Sequence, residues 1–423
     1  MNAFFRLLFG GMIALALCAS AIAAPATHRP KPAQLEATYH QAWQKVNDTY
    51  FDKDRLVGFQ SWKHRFDGKL SSLKDLQAAI KAMTASLDDK WTSFTSDSEK
   101  LAQQRLFQSG FRYPGLWVKE SKESPGKFYV ELILQGFPAY SSSLRIGDEI
   151  VAINGKPLKG MKLEAVEALL GGKVNDKLLL STMTPMGVAS DVSLTIQSPS
   201  FPDSDARIIE DAATGKRFLQ LSLYAFNRGT IDDLEEKIKA LAVKGMGKID
   251  GILLDMRGNS GGFVVAVVRV GSLLLADGKV LRQVSRDGDQ VTIWEPEVIH
   301  PDESEQTLDA ATRKMLTEAP LVVLINGTTR SAPETLTGGL RDRGRTCSIV
   351  GVKSFGKGIA YDETEIASGT LSITFARTQA PSGTDWHGIG ITPSLVVENP
   401  RETSEDLQLR AAIAELASGK CQR

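Results

Sequence analysis

Ser331 and Lys357 are the two residues whose types and settings could do chemistry together. Ser331 follows an apolar run at residues 321–325 and opens the next predicted helix, and Lys357 lies between glycines in the segment SFGKG. A hydroxyl at a strand-to-helix turn is well placed to attack a carbonyl, with backbone N–H groups beside it for the oxyanion. None of the five histidines lies in a motif typical of a general base. If this is a serine enzyme, a lysine is the expected base.

Each of these two residues also has a simpler interpretation. Ser331 with Glu334 three positions later matches a capping box, so its hydroxyl could do no more than cap the helix. Lys357 could be solvated and protonated, with an ordinary pKa of about 10.4. Apolar surroundings and a neighbouring cation at Arg330 would lower that pKa and allow the amine to accept the serine proton.

The segment DMRGNSGG at residues 255–262 is a glycine-rich turn between a predicted buried strand and a helix. Such a turn could hold a phosphate, but the lysine and hydroxyl of a Walker motif are absent, so we expect no nucleotide. It could instead offer a backbone N–H to an oxyanion formed at Ser331, with the N–H of Ala332 as the second donor. No His, Cys or carboxylate cluster has the sequence spacing of metal ligands, so neither a metal nor a cofactor is expected.

The composition of the chain argues against some partners. Its 423 residues carry 50 Lys and Arg against 50 Asp and Glu, so the formal net charge is zero. Without excess positive charge there is no electrostatic reason to expect nucleic-acid binding. A peptide or other small substrate fits better.

The first 23 residues predict a secretory signal peptide. Arg6 precedes an apolar run at residues 7–17, and small residues flank the predicted cleavage site at residue 23. The alternative is a retained anchor, although the run is short for a membrane span. We therefore expect an exported, periplasmic or extracytoplasmic protein, with membrane association left open. Cys347 and Cys421 could be paired or unpaired there.

The remaining chain predicts a multidomain fold with α/β and β parts. Apolar residues at helical spacing predict an N-terminal helical domain over residues 24–107. Short strands and turns with one short helix predict a compact β-rich module over residues 108–199. Residues 200–423 alternate continuous apolar strands with helices, which predicts an α/β core with a sheet covered on both faces.

The β-rich module contains a segment that could bind a peptide. Gly115, Leu116, Trp117 and Val118 precede a predicted strand, and the segment GDEIVAING comes later. A loop of backbone N–H groups beside a free strand edge can hold a C-terminal carboxylate while the peptide adds as a strand. The alternative is a generic β module with two turns.

Taken in their order along the chain, these segments resemble the carboxy-terminal processing (tail-specific) protease family, which has a PDZ domain. LDDKWTSF is similar to the family's L-D-D-x-x-T-x-[YF], and GLWV and GDEIVAING resemble its PDZ domain. DMRGNSGG resembles D-L-R-x-N-x-G-G, and residues 326–334 lie on its N-x-x-S-A-S-A-S-E segment. SFGKG matches T-F-G-K-G, and GITP at residues 390–393 resembles G-I-x-P. The resemblance extends over essentially the whole chain after the signal peptide.

The resemblance implies a serine endopeptidase that cleaves exported proteins near C-terminal tails bound by the PDZ domain. Ser331 would be the nucleophile and Lys357 the general base of a Ser–Lys dyad. Ala332 and Gly261 (or Gly262) would supply the oxyanion N–H groups.

The resemblance also implies roles for residues outside the dyad. Asp342 falls where some members have a helpful aspartate, and Tyr361 stands where the family often has a glutamine that orients the lysine. Val166 and Leu170 would line the tail-binding groove with residues 115–118. The alternative function is a catalytically weak, PDZ-bearing peptide-binding protein, and a regulatory partner or an oligomer stays open.

Overall fold

The computed structural model describes residues 30–101, 114–121, 123–133, 137–197, 203–300, 307–366, 369–399 and 405–419. The predicted signal peptide and Cys421 lie outside these residues, and Cys347 is exposed. Among the residues described, no helix is both long and apolar enough to span a bilayer.

The regular elements are numbered in chain order. The α-helices of the described ranges are α1 (Pro32–Thr49), α2 (Leu73–Ala85), α3 (Leu163–Leu170), α4 (Thr230–Val243), α5 (Val264–Leu274), α6 (Ala310–Glu318), α7 (Ala332–Asp342) and α8 (Leu407–Ala417). The first nine strands are β1 (Ser93–Ser96), β2 (Leu116–Glu120), β3 (Phe128–Ile133), β4 (Glu149–Ile153), β5 (Lys156–Pro157), β6 (Lys177–Met183), β7 (Ala189–Thr195), β8 (Ser204–Glu210) and β9 (Arg217–Leu223). The others are β10 (Gly251–Asp255), β11 (Arg282–Asp287), β12 (Gln290–Trp294), β13 (Leu321–Ile325), β14 (Ser348–Gly351), β15 (Ile359–Ile366), β16 (Gly369–Gln379) and β17 (Leu395–Val396).

The N-terminal helical region packs α1 against α2, with two short 3-10 helices between them. Helix α2 begins after a capping residue, because the Ser72 side chain accepts a hydrogen bond from the Asp75 N–H. This region also contributes β1, which pairs antiparallel with β16 of the core. Phe94 on β1 shares one apolar cluster with Leu371 and Ile373 on β16. The helical region and the core therefore share packing and a sheet.

The β-rich module is an antiparallel sheet in the order β2-β3-β4-β6-β7, with the short β5 paired to β4 and α3 packed on β2. Asn154 and Gly155 both have positive φ, 49° and 77°, in the predicted turn after β4. In the described part of the chain, β2 forms one edge of this sheet.

The α/β core contains the predicted sheet covered on both faces. Its order is β17-β14-β13-β10-β9-β8, and every pair is parallel except β8 with β9. Helices α4 to α7 bury apolar side chains against one face, and α8 packs Ala412 and Leu416 against the other. Continuous apolar strands such as β13, buried at every position, are what a sheet sandwiched between helices requires.

A further antiparallel sheet, separate from the sheet of the β-rich module, was not predicted. It runs β1-β16-β11-β12, and β15 also pairs with β16. Its strands carry weak apolar signals, because β12 is exposed at all five positions and β15 is buried at only its first. This sheet matters for the site, since β15 begins two residues after Lys357.

Candidate active site

The site forms where two turns meet at one edge of the parallel sheet. Strands β10 and β13 are parallel neighbours, and each is followed by a turn that leads into a helix, α5 or α7. The carboxyl ends of parallel strands lie at a common edge, where open α/β sheets form binding crevices. The Arg330 N–H donates to the Asn259 carbonyl at 3.0 Å, and the Gly258 N–H donates to Asn326 Oδ1 at 3.0 Å. These bonds lock the two turns together.

Ser331 has a strained backbone, with φ 69° and ψ −119°. A non-glycine residue in such a conformation costs on the order of 1–3 kcal/mol, and such strain is concentrated at functional sites. Ser331 and Glu334 are arranged as a capping box, but only the Glu334 half makes a hydrogen bond of normal geometry. The serine is therefore placed at the helix start at an energetic cost that a cap alone does not require.

The Glu334 carboxylate connects the serine turn with the lysine loop. Its Oε2 accepts hydrogen bonds from the backbone N–H of Ser331 at 2.8 Å and of Lys357 at 2.7 Å. Its Oε1 accepts from Ser354 Oγ and the Gly356 N–H, both at 2.6 Å. Burial raises the pKa of this fully buried carboxyl, while all four hydrogen bonds favour its ionised form.

The Lys357 side chain is only 8% exposed. The pKa of its ammonium is lowered to about 8, chiefly by burial and additionally by the Arg330 charge, while the Glu334 carboxylate opposes both effects. The expected contribution of Arg330 is thus present. The lysine is not the solvated, strongly basic residue of the simpler interpretation.

Two aromatic rings face the Lys357 ammonium. Its Nζ lies 4.0 Å from the ring centroid of Trp91 and 4.6 Å from that of Tyr361. Trp91 comes from the helical region, where Asp89 accepts hydrogen bonds from the Trp91 N–H at 3.0 Å and from Thr374 Oγ1 on β16 at 2.6 Å. Asp89 therefore fixes the Trp91 segment to β16.

Tyr361 contacts the lysine with its ring face. It lies on β15 next to a register shift between Ala360 and Tyr361. Such a bulge re-aims the side chains that follow it. A ring face cannot orient a lysine by accepting a directed hydrogen bond, as the side-chain carbonyl of a glutamine can.

The candidate oxyanion donors differ in availability. The Gly261 N–H already donates to Asn259 Oδ1 at 2.9 Å. Within the part of the chain that the structure describes, the N–H groups of Gly262 and Ala332 donate no hydrogen bond. Gly261 is needed for a different reason, because a Cβ there would lie 2.8 Å from Ser331 Cβ. The geometry thus favours Gly262 over Gly261 as the partner of Ala332.

A buried ion-pair network shapes the turn after β10. The Arg257 guanidinium donates to both carboxylate oxygens of Asp255, at 2.9 and 2.7 Å, and to both of Asp406, at 2.7 and 2.8 Å. Burial acts against its charge, but the two carboxylates outweigh burial and hold the pKa of Arg257 well above its usual range. Asp406 also caps α8 through the Leu409 N–H. Arg257 therefore ties the turn after β10 to the C-terminal helix.

The structure does not bring Asp342 to the site. Asp342 is the last residue of α7, which begins at the serine, and 11 residues at 1.5 Å each separate the two by roughly 16 Å. Its exposed carboxylate accepts a hydrogen bond from the Ser382 N–H at 2.9 Å. This contact fixes the turn after β16 and involves no atom of the dyad.

The predicted peptide-binding residues lie together where β2 meets α3, but they do not line an open groove. Leu116, Val118, Val166 and Leu170 are at most 4% exposed and form part of the core of the module. Trp117 is half-buried, and Gly115 has φ 86° with the Phe137 side chain against it. The space between β2 and α3 is filled by side chains of the module itself.

Sequence reasoning missed three features. Glu334 was seen only as half of a cap, because its contacts with residues 354–357 depend on the tertiary fold. Trp91 lies 266 positions before Lys357, although it stands within the segment LDDKWTSF. His40, His64 and Asp67 lack the sequence spacing of metal ligands, yet the fold brings their ligand atoms within 4.8 Å of one another.

Comparison with known proteins agrees with this architecture. A family model described as peptidase family S41 matches residues 217–397, and a PDZ domain model matches residues 104–183. A carboxyl-terminal-processing protease of Synechocystis sp. is 27% identical, with 98% of this chain and 92% of that protein covered. A carboxy-terminal-processing protease of Bartonella bacilliformis is 30% identical, with 77% and 70% covered. A solved photosystem II D1 C-terminal processing protease has a TM-score of 0.62 and 25% identity, with 92% and 98% covered.

A PDZ domain joined to an α/β core that presents a serine at a strand-to-helix turn defines a serine-type peptidase. The chain belongs to peptidase family S41, among the carboxyl-terminal processing proteases. The predicted family, fold class and enzyme class are confirmed.

Arg330→Ala is expected to move the acid limb of the kcat/KM profile to higher pH by about half to one unit. Removing a like charge favours the protonated amine, and a lysine that acts as the predicted general base supports the reaction only after it has lost its proton. The pH dependence of peptide hydrolysis measures the shift. Arg341→Ala, an exposed arginine near the other end of α7, is the control and should leave the limb unchanged. An identical limb for the parent and Arg330→Ala would contradict the assigned cause.

Lys357→Met is expected to stabilise the fold at pH 7. Lowering a pKa from 10.5 to about 8 costs on the order of 3 kcal/mol at 1.36 kcal/mol per pH unit. The folded pKa is the lower one, so the cost is fully present below pH 8 and disappears as the pH rises towards 10.5. Urea unfolding at pH 7 and pH 10 should show the gain mainly at pH 7. Lys353→Met, an exposed lysine in the same loop, should change stability by less than about 0.5 kcal/mol. An equal gain in both variants would exclude the burial penalty.

Proposed function

We propose that this protein is a serine endopeptidase of the C-terminal processing type, working through a Ser331–Lys357 dyad. The observation that carries the proposal is the Glu334 carboxylate, one oxygen of which accepts the backbone N–H groups of both residues. The strained backbone of Ser331 and the lowered pKa of Lys357 support it further. Strain and a shifted pKa are the marks of an activated nucleophile and a base suited to neutral pH.

In the proposed reaction, the neutral amine of Lys357 accepts the proton of Ser331 as Oγ attacks the peptide carbonyl. The N–H groups of Ala332 and Gly262 donate to the resulting oxyanion. The ammonium of Lys357 then protonates the leaving amine, and an acyl-enzyme forms. The same amine accepts a proton from the water that hydrolyses this ester. With a pKa of about 8, roughly a tenth of the lysine is neutral at pH 7 and half at pH 8.

Effects of opposite sign act on the pKa of Lys357. Cation–π contacts with Trp91 and Tyr361 favour the ammonium form by about 0.5–2 kcal/mol each. Desolvation by the same packing is the larger effect, so the pKa falls. The amine is therefore held between two rings, yet remains able to lose its proton near neutral pH.

The PDZ domain would bind the C-terminal tails of the substrates. The edge of β2 offers a place for a tail to add as a strand, and residues around Gly115 would hold its carboxylate. Because Val166 and Leu170 are packed against β2, a bound side chain would have to displace part of this packing. Substrates would be exported proteins met outside the cytoplasm, where the predicted signal peptide would direct the chain. A partner that opens this groove would activate cleavage.

Tyr361 favours a second candidate, a catalytically weak peptide-binding protein. Its ring face stabilises the protonated lysine and provides no directed acceptor for the amine. Such a protein would bind tails through the PDZ domain with little cleavage.

The dyad is tested with the parent, Ser331→Ala and Lys357→Ala. Each is incubated with an unfolded protein that ends in an apolar tail, and fragments are measured by mass spectrometry. We expect cleavage by the parent and a loss of at least about a thousandfold in both variants, because each removes a group that acts in the chemical step. Lys353→Ala is the matched control and should cleave like the parent. Equal cleavage by all, or cleavage by none with tail binding retained, would favour the binding protein.

The tail site is tested with paired peptides that differ only in a free or an amidated C-terminus. Amidation removes the charge that backbone N–H groups would bind, so kcat/KM should fall about tenfold, mainly through KM. A substrate peptide whose tail is removed just beyond the cleavage site should be hydrolysed slowly, whether its new C-terminus is free or amidated. Equal rates for the paired peptides would remove the carboxylate from the proposed recognition.

A further inference from the structure

Three side chains with metal-binding chemistry converge on the helical region, away from the residues of the proposed dyad. His40 lies on α1, and His64 and Asp67 lie in the turns between the second 3-10 helix and α2. His40 Nε2 is 2.9 Å from Asp67 Oδ1, and His64 Nδ1 is 2.8 Å from Asp67 Oδ2. One carboxylate thus joins two imidazoles from separate segments.

The spacing of these atoms suits a small cation after a modest adjustment. One ligand atom from each residue lies within 4.8 Å of the others. Four-coordinate zinc has bonds of about 2.0–2.2 Å, so its ligand atoms sit roughly 3.3 Å apart. His64 is 68% exposed and can rotate towards the other two, while His40 is anchored on α1. Rotation of the exposed His64 side chain is the adjustment that would bring the three ligand atoms closer together.

The local charge also favours a cation. Glu36 lies one turn before His40 on α1, and its Oε1 accepts the Gly68 N–H at 2.8 Å, which places a second carboxylate beside Asp67. The cationic side chains of the same segment have other partners: Lys63 lies over the Trp43 ring, Arg65 lies over the Trp62 ring, and Lys69 donates to the Arg65 carbonyl. A simple hydrogen-bonded His–Asp–His cluster would satisfy these groups without metal, and it is the alternative that the experiment must separate.

We propose that His40, His64 and Asp67 bind a divalent transition metal of the zinc class, with water completing its coordination. Two imidazoles and one carboxylate select zinc, nickel or copper over magnesium and calcium, which prefer oxygen ligands. The ion would clamp α1 to the turns that follow the second 3-10 helix. Because it binds the folded state, it would raise the stability of the helical region, which also supplies Trp91 to the proposed active site.

The test is a titration of the purified protein, without a polyhistidine tag, with zinc chloride in a calorimeter. The expected result is one saturable site, together with a higher Tm in the presence of zinc. His64→Ala and Asp67→Asn should each weaken binding at least about tenfold. His300→Ala, an exposed histidine outside the cluster, should bind like the parent. No saturable binding, or binding that His64→Ala and Asp67→Asn both retain, would overturn the proposal.

A second measurement avoids substitutions and any loss of folding they cause. Diethyl pyrocarbonate modifies accessible imidazoles, and peptide mass spectrometry reads each site separately. Zinc should slow the modification of His40 and His64 severalfold and leave that of His300 unchanged. Equal rates with and without zinc at all three sites would exclude metal binding by the cluster.

Discussion

The site depends on one buried carboxylate that accepts four hydrogen bonds. Glu334 stands on the first turn of α7, and each of its oxygens accepts two hydrogen bonds. Oε2 accepts from the serine turn and from the loop that precedes β15, while both donors to Oε1 belong to that loop. The donors come from segments more than twenty residues apart that follow the paired strands β13 and β14. The carboxylate fixes the relative position of these two segments together with the Phe355 N–H, which donates to the Thr329 carbonyl at 3.0 Å. An amide of the same shape would turn an N–H group towards two donors and could satisfy only one pair. Both oxygens are required.

Several costly features are concentrated around this carboxylate. Ser331 is strained, Lys357 is buried with a lowered pKa, and Glu334 is buried with a raised one. Each of these lowers the stability of the fold, and such features persist only where the surrounding structure over-determines them. Here the surroundings are a parallel sheet with helices on both faces and the Arg257 network that ties the neighbouring turn to α8.

The sequence predicted the parallel sheet and its helices well, because buried strands such as β13 consist of continuous apolar runs. It did not predict the antiparallel sheet that contains β15 and β16, since Asp362, Glu363 and Glu365 interrupt the apolar pattern of β15 and none of the β12 side chains is buried. Ser331 and Lys357 were identifiable from local patterns of glycine, turn and helix start. Their surroundings were not, because Trp91 reaches Lys357 only through the pairing of β1 with β16. Asp342 shows that sequence position can also mislead. Its place after the serine motif did not reveal that a straight helix puts this residue too far from the site to act there.

The pairing of β1 with β16 makes the helical region a wall of the lysine pocket. Trp91 covers the amine from one side, and Asp89 fastens the Trp91 segment to Thr374 on β16. A core released from this region would keep its serine and its glycine turns, but its lysine would be exposed to water on the side that Trp91 now covers, and the pKa of the lysine would rise. The N-terminal helices thus set the protonation of a residue more than 250 positions away. In the proposed mechanism, any event that loosens them would slow proton transfer from Ser331 without moving Ser331 itself.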